Sequence, residues 1–92
     1  MTQFPRIHLN GTDGRDLAEQ YGAAITVLEI AIAAIREISV HGRDYYTIND
    51  SASSVAMHEH RQRLARLELV KAELQLIYDD IFEQMSARPG CH

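Results

Sequence analysis

Cysteine occurs once in this 92-residue sequence, as Cys91, so no internal disulfide framework holds the fold. Proline occurs twice, at Pro5 and Pro89, both near the ends. A long interior without proline keeps every amide available to a helix. Positive charge is in the minority, nine Lys and Arg against thirteen Asp and Glu, for a net charge of −4. That deficit argues against general attraction to nucleic acid or to an anionic membrane. Internal repeats and low-complexity tracts are absent. The start, MTQFPRIHLNG, lacks the charged opening and long apolar run of a secretory signal. Residues Ala23 to Ile38 are apolar, but Glu29 and the Arg36-Glu37 pair interrupt them. The run falls short of the roughly 20 residues that span a bilayer, so no membrane partner is expected.

What is present is helical pattern. Apolar residues make up 46% of the chain and charged ones 24%, which fits one small folded domain rather than a disordered one. From Leu17 the spacing alternates between four and three: Leu17, Tyr21, Ala24, Leu28, Ala31, Ile35, Ile38. That is a coiled-coil seam. A second apolar row, Ile25, Val27, Ile30, Ile32 and Ala34, lies beside it. A later segment repeats the seam as Met57, His60, Leu64, Leu67, Lys71, Leu74, Tyr78, Ile81 and Met85. Val70 and Ile77 sit next to this seam, and Ala65, Leu69, Ala72 and Leu76 lie round to the side. The fold class expected is all-α, an antiparallel two-helix hairpin with an N-terminal extended arm, assembling into a helical bundle.

The expected order is an arm over 1–12, a first helix over 13–40, a loop over 41–51, a second helix over 52–86 and a tail over 87–92. Pro5 biases Phe4 towards extended backbone, and Phe4, Ile7 and Leu9 offer contacts for docking the arm. Thr12 or Asp13 can cap the first helix, and Asp13 with Asp16 resembles a capping box. Gly42 provides an exit from the first helix. Asn49, Asp50, Ser51 and Ser53 can each cap the second.

No residue set makes a catalytic, cofactor or metal signature, so a non-enzyme is expected. His58 and His60 are two apart and diverge by about 200° on a helix, whereas the helical zinc motif needs histidines four apart. Arg61, Arg63 and Arg66, with Arg43 from the loop, form a basic cluster that Glu59 and Glu68 balance. Asp79, Asp80 and Glu83 oppose the dipole at the end of the second helix. Ser53 and Ser54 lack a nucleophile-elbow context, and Cys91 lacks an activating neighbour. Lys71 on the seam can cover its stem, or fix register and oligomer number at some cost in stability.

Two stretches carry a family resemblance. One is Ile7-His8-Leu9-Asn10-Gly11-Thr12 followed by Leu17 and Gln20-Tyr21. The other is Gly42-Arg43-Asp44-Tyr45-Tyr46 ahead of Glu59-His60-Arg61. Together, over about residues 7–85, they resemble small phage- and prophage-encoded helical proteins of unassigned function. Asp13, His41 and Thr47 depart from that pattern, where Ser, Asn and Pro would stand. The resemblance implies a phage context and a structural or assembly role, in a bacterial cytoplasm or with a virion. It supplies no catalytic residues.

The sequence thus predicts a protein–protein interaction module that self-associates, as a dimer first, or that docks on a partner protein. The predicted seam is Leu17, Tyr21, Leu28, Ile35, Ile38, Leu64, Leu67, Lys71, Leu74, Tyr78 and Ile81, with Arg43, Tyr45 and Tyr46 as loop contacts. The alternative is a small nucleic-acid-binding regulator using Arg43, Arg61, Arg63 and Arg66. No small-molecule substrate is implied.

Overall fold

A computed structural model describes residues 2–7, 13–40, 44–45, 48–49 and 51–86. It contains two helices, α1 (Gly14–Arg36) and α2 (Ala52–Ser86), and no strand among the described residues. They pack as a helical hairpin. Leu9, Thr12, Gly42, Arg43, Tyr46, Asp50 and the tail lie outside the described residues.

The ends of the helices follow local chemistry. Asp13 occupies the N-cap of α1 with extended backbone, and its carbonyl accepts from the Leu17 amide at 2.9 Å. Its side chain makes no capping bond, so the Asp13–Asp16 box does not form. Asp16 still sits in the first turn, where a carboxylate favours the positive helix end. At the other end the Glu37 amide donates to the Ala34 carbonyl (3.2 Å) and Ile38 to Ile35 (3.1 Å). These tighter bonds close α1 at Arg36, short of the expected Val40. Ile38, Ser39 and Val40 are poor helix formers, and outside the helix Val40 reaches a half-buried position. The start of α2 matches the expected boundary. Asn49 Oδ1 accepts from both the amide and the hydroxyl of Ser51 at 3.0 Å, a local turn that presents Ser51 ahead of the helix. The Ser51 carbonyl then accepts from the Val55 amide.

The helices run antiparallel, as three contacts along their length require. Gly14 faces Met85, Gly22 faces Tyr78, and Arg36 pairs with Glu68. At 1.5 Å per residue α1 is about 35 Å long and α2 about 53 Å. The first third of α2 therefore runs on past the end of α1. The molecule is a rod of 66 × 23 × 18 Å.

The core is thin. Ala18, Ile77 and Ile81 are buried together, with Ile7, Leu17, Tyr21, Tyr78 and Met85 around them. Further along α1, Ile25 and Ile32 are buried. The inward line of α1 is thus Gly14, Ala18, Tyr21, Ile25, Leu28, Ile32, Ile35, again stepping by four and three. It lies one residue from the predicted seam at every second position. Ala18, Ile25 and Ile32 take the places expected for Leu17, Ala24 and Ala31. Ile38 lies beyond the helix and is 56% exposed, so it is not part of the hairpin seam. In α2 the predicted line from His60 to Met85 is half-buried or buried, with Met57 exposed at its start, and Ile77, expected beside that line, is buried more deeply than its neighbour Tyr78.

The arm docks on its own hairpin. The Ile7 amide donates to Gln84 Oε1 at 2.9 Å, and Gln84 Nε2 donates to the Pro5 carbonyl at 2.8 Å. Ile7 closes over the core beside Gly14, while Phe4 stays exposed.

Candidate interaction surfaces

The hairpin presents three kinds of surface. Of the predicted seam residues, Leu17, Tyr21, Leu28, Ile35, Leu64, Leu67, Leu74 and Tyr78 are half-buried and Ile81 is fully buried. Half-burial leaves part of each side chain uncovered by the other helix. Lys71 is half-buried too, and its Nζ lies 3.4 Å from Glu68 Oε2. Glu68 Oε1 accepts from Arg36 Nη2, so one carboxylate ties α1 to Lys71 across the seam. Neither Arg36 nor Glu68 belonged to the predicted seam. Both are polar, and apolar periodicity does not select them.

The second surface is an open groove of about 580 Å³ where α2 runs past α1. Ile35, Ile38, Val40, Tyr45, Ala56 and Leu67 supply its apolar wall. Glu59, His60, Arg63 and Arg66 supply its polar rim. Tyr45 is thus placed in the groove, whereas Arg43 and Tyr46 fall outside the described residues. The predicted basic cluster is divided. Arg63 and Arg66 face the groove, while Arg61 turns back to donate its Nε to the Met57 carbonyl at 3.4 Å.

The third surface is the back of each helix. On α1, Val27 and Ile30 are each 65% exposed and continue through Ala23 and Ala34 as a row stepping four, three, four. On α2, Leu69 and Leu76 are 62% and 56% exposed and alternate with exposed Ala65 and Ala72 in the same steps. Val27 and Ile30 on α1, and Leu69 and Leu76 on α2, stay largely uncovered by the opposite helix. By length and composition α1 could cross a membrane, with a mean hydropathy of 1.3 over its most apolar window, of which 17% is buried.

Side clefts flank the seam. Gly22 and Ala23 line one with Tyr78 and Phe82, whose rings meet edge to face at 4.9 Å between centroids. Leu17, Tyr21, Ala24 and Leu74 line the other. No family model, curated protein or solved structure matches the chain.

Proposed function

We propose that this protein is a non-enzymatic interaction module that works by self-association through the apolar surface its hairpin leaves uncovered. The observation that carries the reading is the amount of that surface. The accessible area is 7102 Å², where a compact monomer of 10.4 kDa would expose about 5,400 Å². The excess is comparable with the total area buried in a standard protein–protein interface, about 1,600 Å². Large apolar side chains are among the exposed residues, and Val27, Ile30, Leu69 and Leu76 stand in ordered rows rather than scattered singly. Assembly into a helical bundle would cover those rows. A phage or prophage setting, with a structural or assembly role, fits a small helical module of this kind.

Two other readings gain less support. A nucleic-acid regulator needs its arginines on one face, and Arg61 and Arg63 diverge by about 200° around α2. A membrane-spanning α1 would put Glu29, which is exposed, within about 6 Å of the bilayer centre. Such a carboxylate costs roughly 3 kcal/mol in that position.

Sedimentation equilibrium from 1 to 100 µM tests the proposal. The expected result is a dimer or higher species with undiminished helix content. A folded monomer throughout that range would remove the proposal.

A further inference from the structure

The charges of α2 are segregated along its length. Arg61, Arg63 and Arg66 lie in its first half, and Asp79, Asp80 and Glu83 in its last two turns. Of these only Glu83 lies in a terminal turn, where a carboxylate opposes the helix dipole; the rest form a basic half and an acidic half along the rod. Inside the hairpin, α1 makes no ion pair with either group among the described residues: its cross-helix ion pair is Arg36 with Glu68, in the middle of α2. The pattern has a use if α2 lies antiparallel to a second helix with the same sequence, basic half against acidic half.

We propose that α2 is the dimer contact, packing its outer row antiparallel against the same row of a second copy of this chain. This rests on the self-association proposed above and names the face and orientation that produce it. Place a two-fold axis between Leu69 and Ala72. Leu69 of one copy then sits on Ala72 of the other, and Leu76 on Ala65, so every large side chain meets a small one. The next layers outward set Gln62 on Asp79 and His58 on Glu83, donor against carboxylate. Beside the row, Arg66 meets Glu73 of the second copy. A two-fold interface repeats each of these contacts twice. One like-charged pair remains, Glu59 with Asp80. The Asp80 carboxylate accepts from Gln84 at 2.7 Å within its own hairpin, which draws it away from Glu59.

Other alignments are worse on the same grounds. A parallel pair sets Leu on Leu, Ala on Ala, Asp79 on Asp79 and Glu83 on Glu83. Sliding the antiparallel pair by one heptad sets Leu69 on Asp79 in one direction and Leu76 on His58 in the other. The row on α1 has no charge code to select a partner, since Ala24, Thr26, Ala31 and Ala33 flank it. Charged residues beside the apolar row are what fix partner and orientation in paired helices.

The test is a charge exchange followed by sedimentation equilibrium on the full chain, with circular dichroism to verify helix content. Arg66→Glu and Glu73→Arg are each expected to weaken the dimer about tenfold, because each spoils two symmetry-related pairs. The double variant R66E/E73R restores the pairing in reverse and is expected to return to within about threefold of the starting affinity. Two single defects that simply add in the double variant would overturn the α2 contact. If the unaltered chain is dimeric but Ile30→Glu dissociates it and Leu69→Glu does not, self-association stands and the face is wrong. A folded monomer in the unaltered chain overturns both.

Discussion

Single residues in this hairpin matter in proportion to how few are covered. Ile81 is fully buried, and it belongs to a core cluster of only three buried residues. Ile81→Ala removes three carbons where few neighbours can close the gap, and is expected to cost about 3 kcal/mol in denaturant unfolding. Gly22 faces the ring of Tyr78, and a Cβ there would lie 3.2 Å from Tyr78 Cε1. The edge-to-face contact with Phe82 limits how far that ring can retreat. Gly22→Ala is therefore expected to be near neutral, because the helix-propensity gain of about 1 kcal/mol is offset by displacement of the ring. Gly22→Leu goes further and should lose about 2 kcal/mol by overpacking. A substantial gain in stability from the leucine would show that the helices separate there at little cost. Lys71 occupies an otherwise apolar line and is tied to Glu68. Partly exposed ion pairs contribute little, so Lys71→Leu is expected to raise the melting temperature by a few degrees and broaden the distribution of oligomers. Lower stability with an unchanged oligomeric state, in calorimetry and sedimentation, would contradict it.

At the scale of the elements, the sequence was most legible in α2. Its polar residues fall between the apolar ones, so the large apolar side chains from Leu64 to Met85 mark the inward face, and Asn49 and Ser51 mark its start; Ile77 beside that line is buried too. In α1 the hairpin fold was legible but the inward line was not. Leu17-Ala24-Ala31 and Ala18-Ile25-Ile32 both fit steps of four and three with Tyr21, Leu28 and Ile35. A helix apolar on most of its girth does not select between them by spacing. Side-chain size carried the missing signal at two of the three positions, because Ile25 and Ile32 fill the space between two helices better than Ala24 and Ala31 do; at the third the small Ala18 is buried and Leu17 packs at its side. The docked arm was half legible. Ile7 was a visible contact, but Gln84, which holds the arm by two backbone hydrogen bonds, is a polar residue with no periodic mark. Gln84→Ala leaves the Ile7 amide and Pro5 carbonyl without those partners. It is expected to cost about 1–2 kcal/mol and to speed hydrogen exchange at Ile7 while α1 and α2 stay protected. Unchanged exchange at Ile7 would mean that apolar contact alone holds the arm.

The whole molecule is a rod whose radius of gyration, 19.7 Å, far exceeds the roughly 12 Å of a compact chain of this length. Two helices side by side cannot enclose a core, because each keeps a back that no other element reaches. Stability of the hairpin and association of its copies are therefore coupled, and the coupling has a measurable form. If unfolding and dissociation occur together, a hundredfold rise in protein concentration stabilises the folded state by about 2.7 kcal/mol per dimer. Spread over the unfolding entropy of two chains, that is a rise of about 7 °C in melting temperature. Leu69→Glu separates the intramolecular contribution from the intermolecular one. Leu69 is 62% exposed in the hairpin, and changing such a residue in a monomer moves stability by less than about 0.5 kcal/mol. On the α2 contact, the same substitution puts a carboxylate against Ala72 of the second copy. The expected outcome is a variant whose melting temperature at low concentration matches the unaltered chain but no longer rises with concentration. A slope that survives Leu69→Glu would place the coupling on another face, and a flat slope in both chains would show that the hairpin holds itself together alone.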